Sequence, residues 1–266
     1  MRRAVALGRC LGSVLSLARS EEETILDIGH QGLRSAPPST IRSCLAGVRI
    51  DCHVFVSGEE CLSDVLECFA GRIQVHHEVL ENPRLLPAAA RDYLLKVEEP
   101  ADLSLYLEDD LVIHDRLFVD KLIWFSERTQ HKVVLMPHRY ECSRDPEHAR
   151  LYVDGPLRDD FIGRYYRPMT QVAEGRFWDG QEVTFDAPGN PHSGLFALTA
   201  PQRQHLRGRP QPIDGFVGPL ESVATYTALS VFPVWKPAWH CRDFLAIEHA
   251  FPSFLGYLGR LPQLLG

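Results

Sequence analysis

The sequence predicts a single α/β domain, with a mostly parallel sheet flanked by helices in its first half and a mixed or antiparallel subregion in its second. Three observations carry this expectation. From Arg49 to about Glu141, short β-rich runs alternate with helical patterns, the order that builds parallel strands joined by crossover helices. After Glu141, Pro, Gly, Arg and aromatic residues become dense, and strand-like pieces are separated by turns. No internal repeat and no long polar linker divides the 266 residues, so 1–141 and 142–266 read as two halves of one unit.

The first twenty residues superficially imitate a signal peptide, with Arg2 and Arg3 preceding an apolar stretch. Arg9 interrupts that stretch, and Leu7, Leu11, Val14, Leu15 and Ala18 fall at helical spacing, so an amphipathic helix is the better reading. Strands are expected at Ile50–Val56, Ile73–Val79, Leu103–Leu107 and Lys132–Pro137, and helices at Glu60–Phe69, Pro83–Val97 and Asp115–Arg128. The last of these has His114 or Asp115 as a cap and carries Leu117, Phe118, Lys121, Leu122 and Phe125 at intervals of three and four. In the second half, strands are expected at Gln181–Phe185 and Gly194–Leu198, and a final helix from about Pro219 to Val231. An α/β unit of this kind ordinarily opens with a strand. Here, either Ala4–Leu7 is a very short strand or the sequence starts one strand too late.

Composition narrows the function classes. A hydrophobic content of 45% is ample for a core. The formal net charge is −7 and Lys and Arg are scattered, so nothing attracts a nucleic-acid backbone over long range. Seven cysteines form no C-x-x-C pair and read as reduced, mostly buried small hydrophobes. No window reaches the run of about 18 apolar residues of a spanning helix, and the chain reads as cytoplasmic.

The sharpest chemical signal is Leu103–Leu107 running straight into Glu108, Asp109 and Asp110. An apolar strand ending in three carboxylates puts them at a sheet edge, where open α/β folds bind ligands. Adjacent acids repel one another, and a bound cation stabilises them together. In an extended backbone Glu108 and Asp110 point to one side and Asp109 to the other. Their hard oxygen donors suit Mn²⁺ or Mg²⁺, which can bridge to a diphosphate. The plain alternative is a solvated acidic turn.

The segment Leu105–Ile113 resembles the D-x-D region of glycosyltransferases with the GT-A fold, many of which carry E-D-D followed by an apolar run and a helix. The order of elements is also similar, with alternating strands and helices first, the acidic triplet near the middle, and a helix bearing a carboxylate late. The resemblance implies a nucleotide-sugar donor, a carbohydrate or other hydroxyl-bearing acceptor, and a metal held by Asp110, with Glu108 and Asp109 at the donor's ribose or acting through water. It also implies a base on the late helix. Glu221, in the first turn after Gly215-Phe216-Val217-Gly218-Pro219, fits that position, although an acid there is also favoured by the helix dipole. Family members often have Glu-Asp or Asp alone there, whereas Ser222 follows Glu221 in this chain. A C-terminal metal or diphosphate ligand is implied as well, and of His240 and His249 the second, in Ile247-Glu248-His249, is preferred.

Weaker candidates complete the reading. Ser57, in Val56-Ser57-Gly58, follows a strong strand at the edge that would touch a donor's base or ribose. Gly189–Phe196 is a polar turn whose small residues would let an acceptor approach the backbone. Trp178, Tyr165 and Tyr166 could stack on sugar faces, though aromatics are more often core. Two other functions compete: a metal-dependent phosphohydrolase on a similar sheet, and a carbohydrate-binding relative without chemistry. The absence of D-x-D-G-T, G-x-x-x-x-G-K-[ST] and G-x-G-x-x-G disfavours the hydrolase, P-loop NTPases and Rossmann oxidoreductases.

Overall fold

The computed structural model describes residues 2–36, 45–58, 61–98 and 101–260. Helix α1 (Arg2–Leu15) buries Ala6, Leu7, Cys10 and Leu11 along one stripe, as its apolar spacing requires. Ala4–Leu7 is therefore helical, and the short-strand alternative fails. An antiparallel hairpin follows, β1 (Glu23–Asp27) with β2 (Gly32–Ala36). Next come β3 (His53–Ser57), α2 (Ser63–Glu67) and β4 (Gln74–Glu78), with β3 and β4 parallel. The helix expected over Glu60–Phe69 is thus shorter than its pattern, and Glu60 lies outside the described residues.

A 3₁₀ turn at Pro83–Leu85, capped by the Asn82 side chain, leads into α3 (Leu86–Lys96). Strand β5 (Leu103–Leu107) has the expected bounds, and β6 (Leu111–Val112) resumes after the acidic triplet. Helix α4 (Phe118–Arg128) starts three residues later than Asp115. Asp115 instead holds the turn before it, its Oδ1 accepting from the Leu117 N–H at 2.8 Å and its Oδ2 from Lys121 Nζ at 2.6 Å.

The remaining elements are β7 (Val134–Leu135), β8 (His138–Cys142), β9 (Arg150–Tyr152), α5 (Asp159–Ile162), β10 (Met169–Arg176), β11 (Glu182–Ala187), β12 (Leu195–Thr199) and α6 (Ala200–Leu206). The late helical run comprises α7 (Pro219–Glu221), a π turn at Ser222–Tyr226 and α8 (Thr227–Leu229). Strands β13 (Val234–Pro237) and β14 (Ala246–His249) follow, on either side of a 3₁₀ segment at Trp239–Leu245.

The molecule is a mixed α/β protein, but its sheets are small and the mostly parallel sheet does not hold. Among the described residues three pairings are parallel, β3–β4, β7–β13 and β8–β14, and six are antiparallel. Hydrophobic patterning marks a strand without naming its neighbour. Strand β12 shows the consequence: it is buried at every position and lies antiparallel along the whole of β5, Leu195 opposite Leu107 and Thr199 opposite Leu103.

The main core lies where α4 covers these strands, with Phe118, Trp124, Phe125, Phe185, Leu195 and Phe244 all nearly inaccessible. Fully burying one such side chain contributes about 1.5–3 kcal/mol. That rigid layer fixes the end of β5. One step beyond the β5–β12 ladder, the Glu108 N–H donates to the Gly194 carbonyl at 3.0 Å, and the chain then turns into β6. Strand β14 lies antiparallel to β6 on one side and parallel to β8 on the other.

Candidate functional site

This strand arrangement brings four acids and two bases to the end of β5. His249 is opposite Leu111 on β6, and the Ala250 N–H donates to the Asp110 carbonyl at 2.7 Å. The His249 ring therefore reaches Asp110, its Nε2 3.5 Å from Oδ2. Because β14 runs alongside β8, the other ring nitrogen, Nδ1, meets Glu141 Oε1 at 2.8 Å. Glu141 is inaccessible and also accepts from the Ser253 and Phe254 N–H groups, so it is a fixed support for the imidazole. Strand alternation sends the preceding Glu248 to the opposite face, where Arg9 grips it through two bonds of 2.8 and 2.6 Å and His114 adds a third.

Glu108 sits against Gly194, whose φ of +62° and missing side chain are both used: a Cβ there would lie 2.5 Å from Glu108 Oε2. The smallness of this turn thus makes room for the protein's own carboxylate. Burial raises the Glu108 carboxyl to about 7, with the charges of Asp110 and Glu221 adding to the shift against Arg139 and His249. Glu221 is therefore close enough to Glu108 to repel it. Its Oε2 folds over Gly218, where a Cβ would come within 2.9 Å, and the π turn begins at the next residue. For His249, burial works against the charged ring, but Asp110 and Glu141 outweigh it and raise the pKa.

The triplet separates, but through a turn and not through the strand alternation expected of it: β5 ends at Leu107, and Asp109 and Asp110 make the turn into β6. Asp109 turns away from Asp110 and pairs with exposed Arg3 of α1 at 3.2 Å. Ser57 ends β3, and among the described residues no hydrogen bond or ion pair joins it to the acidic edge. His240 is exposed in the 3₁₀ segment, away from the position that His249 takes on β14. Of the aromatic candidates, Tyr165 packs with Phe161, Phe216 and Tyr226, the Tyr166 hydroxyl donates to the Pro188 carbonyl, and Trp178 stacks on Phe177.

No protein-family model matches this chain, and no curated protein matches it.

A second charged group stands behind the acidic edge. Asp154 is inaccessible and accepts from the Arg139 backbone and guanidinium at 2.9 and 3.0 Å and from Lys236 Nζ at 2.9 Å. Burial alone would raise its carboxyl, but Lys236 and Arg139 overcome this and hold it well below the usual carboxylate range. Lys236 also donates to the His192 carbonyl at 2.6 Å, and His192 Nδ1 meets Thr225 Oγ1 of the π turn at 2.7 Å. Next to this group lies a cavity of about 650 Å³, lined in part by His138, Asp154, Asn190 and Trp239, within the size range of small-ligand sites. None of the acidic triplet lines it. The loop from Gly189 to Gly194 connects the two, forming the cavity wall at one end and abutting Glu108 at the other.

What can this arrangement do? Among the described residues no three His, Cys, Asp or Glu side chains converge to enclose a metal ion. Asp110 and His249 stand side by side as two donors. Such a pair could hold a divalent cation whose other positions are filled by phosphate oxygens and water, as Mg²⁺ commonly is. The Glu141 contact is the carboxylate-to-histidine support that orients a ligating imidazole. Sequence reasoning did not find Arg139, Glu141, Asp154 or Lys236. The available signal was charge inside short strands, Arg139 and Glu141 in His138–Cys142 and Lys236 in Val234–Pro237.

Proposed function

We propose that this protein is a metal-dependent glycosyltransferase of GT-A-like organisation, moving a sugar from a nucleoside-diphosphate donor to a hydroxyl-bearing acceptor. The observation that carries the reading is the proximity of Asp110 Oδ2 to His249 Nε2 at 3.5 Å, with Glu141 behind the imidazole. Asp110 and His249 would hold Mn²⁺ or Mg²⁺, which supplies Lewis-acid neutralisation of the leaving diphosphate when bound. Glu108 would line the donor side of the same edge, and Asp109, tied to Arg3, would act only at its margin.

Glu221 is the base in this reading. A sugar hydroxyl is a weak nucleophile at neutral pH, and a carboxylate within hydrogen-bond reach takes its proton as the bond to the anomeric carbon forms. A single in-line displacement of this kind inverts the anomeric centre. The repulsion between Glu221 and Glu108 supports a shared site, and Ser57 remains a donor-side candidate on its strand end alone.

Thermal melting with a panel of nucleoside diphosphates, with and without Mn²⁺, tests the class. Transferase chemistry predicts stabilisation by one nucleotide only when metal is present, growing with ligand concentration as selective binding to the folded state requires. Stabilisation by free sugar alone, indifferent to metal and nucleotide, would instead mark a carbohydrate-binding protein.

A further inference from the structure

We infer that the 650 Å³ cavity beside Asp154 is a binding site for a pyranose-sized sugar carrying a carboxylate, a uronic-acid type of ligand. This holds whether or not transfer occurs at the acidic edge, because it rests on a different set of residues.

The first observation is an aromatic platform. Trp239 packs against His138, with centroids 4.6 Å apart and planes tilted by 33°, and Tyr152 meets it edge-on at 6.2 Å and 89°. The indole is thus held in place, yet the residue remains 41% exposed and lines the cavity. A fixed, open aromatic face is what the C–H side of a sugar ring packs against.

The second observation is an unanswered donor. Asn190 is only 8% exposed and lines the cavity. Its Oδ1 accepts from the His192 N–H at 3.0 Å, which fixes the amide, and its NH₂ group makes no hydrogen bond among the described residues. The NH₂ group is open to the cavity, and a ligand hydroxyl or carboxylate oxygen can accept from it in place of water.

The third is charge. Arg167 lines the cavity, is exposed, and forms no ion pair among the described residues. Arg139 and Lys236 stand behind the wall rather than in the lining, where both hold Asp154 and Arg139 also acts on Glu108, and Asp186 on the wall has one oxygen committed to the Gln171 N–H at 2.8 Å. Arg167 is thus the one Lys or Arg among the described lining residues. A single guanidinium without an ion-pair partner suits a singly charged carboxylate, for which arginine offers a two-pronged fit. A phosphate, nearly doubly charged at neutral pH, would be under-compensated.

Saturation-transfer NMR and tryptophan fluorescence titrations of the full chain with D-glucuronate, D-glucose and D-glucose 6-phosphate, without metal or nucleotide, test this. Glucuronate is expected to bind about tenfold tighter than glucose, the scale of one charge-assisted contact, and tighter than the phosphate. Arg167→Ala, at an exposed position, should erase the preference for glucuronate and leave glucose binding unchanged. Trp239→Ala should weaken both sugars. Equal affinity for glucuronate and glucose, a preference for the phosphate, or an unchanged preference in Arg167→Ala overturns the assignment. Loss of metal-dependent nucleotide binding in other experiments would bear only on the acidic edge.

Discussion

The two charged groups of this molecule are built from the same residue types and behave in opposite ways. At Asp154 one carboxylate meets two cations, and its pKa is driven down. At the end of β5, Glu108, Asp110, Glu141 and Glu221 share Arg139 and His249, and the Glu108 carboxyl is driven up to about 7. Arg139 belongs to both, bonded to Asp154 and only acting at a distance on Glu108. The lesson is that burial alone does not decide the sign; the local count of charges does. A group neutralised from within serves the fold, and a group short of positive charge is arranged for something that arrives from outside.

The largest expected effect separates catalysis from structure at the acidic edge. Glu221→Gln keeps the shape and removes the basicity, so turnover should fall by about 10² to 10⁴ with donor affinity little changed. A product that retains the donor's anomeric configuration, or normal turnover in this variant, leaves Glu221 only its role at the helix start. Next comes Asp154→Asn, which leaves Arg139 and Lys236 buried without their counter-charge. It should cost about 3–5 kcal/mol, read as a lower urea midpoint at unchanged slope.

Glu108→Gln should move stability the other way. An acid whose pKa is higher folded than unfolded loses stability as pH rises through the window from its ordinary value of 4.5 to about 7. His249, with its pKa also raised, contributes stability below its ordinary value and loses it as pH rises through the folded one. Both groups weaken the metal-free protein as pH rises, while buried His138 and His192, whose pKa values are lowered, act in the opposite sense up to their ordinary value of 6.5. Glu108→Gln should recover on the order of 1–3 kcal/mol at pH 8 and almost nothing at pH 4. A stability difference between Glu108→Gln and wild type that is the same at pH 4 and pH 8 would contradict the charge account. The smallest effect is at Arg3→Ala, whose pair with Asp109 is solvent-exposed on both sides; the change should be within about 1 kcal/mol.

What could be read in advance follows from distance along the chain. The β5 strand, α3, α4 and the late helix were legible because their hydrophobic spacing is local. The acids at 108–110 were legible because an apolar run ending in carboxylates is itself a local pattern. The support of His249 by Glu141 was not, since it depends on β14 lying beside β8, more than a hundred residues earlier. The antiparallel seating of β12 on β5 escaped for the same reason: a strand buried on both faces reads alike in either direction. Trp239 was passed over within an aromatic-rich tail, where nothing local distinguishes a platform from a core residue.

The most direct test of the central claim is a calorimetric titration of a nucleoside diphosphate into the wild-type chain and into Asp110→Ala, each with and without Mn²⁺. Asp110 lies in the turn between β5 and β6 and contacts His249, so its removal should leave the metal-free protein folded, with at most a modest drop in melting temperature. The account predicts metal-dependent binding in the wild type and a loss of at least about tenfold in Asp110→Ala, equivalent to about 1.4 kcal/mol. Equal affinity in the two proteins in the presence of Mn²⁺ would contradict it.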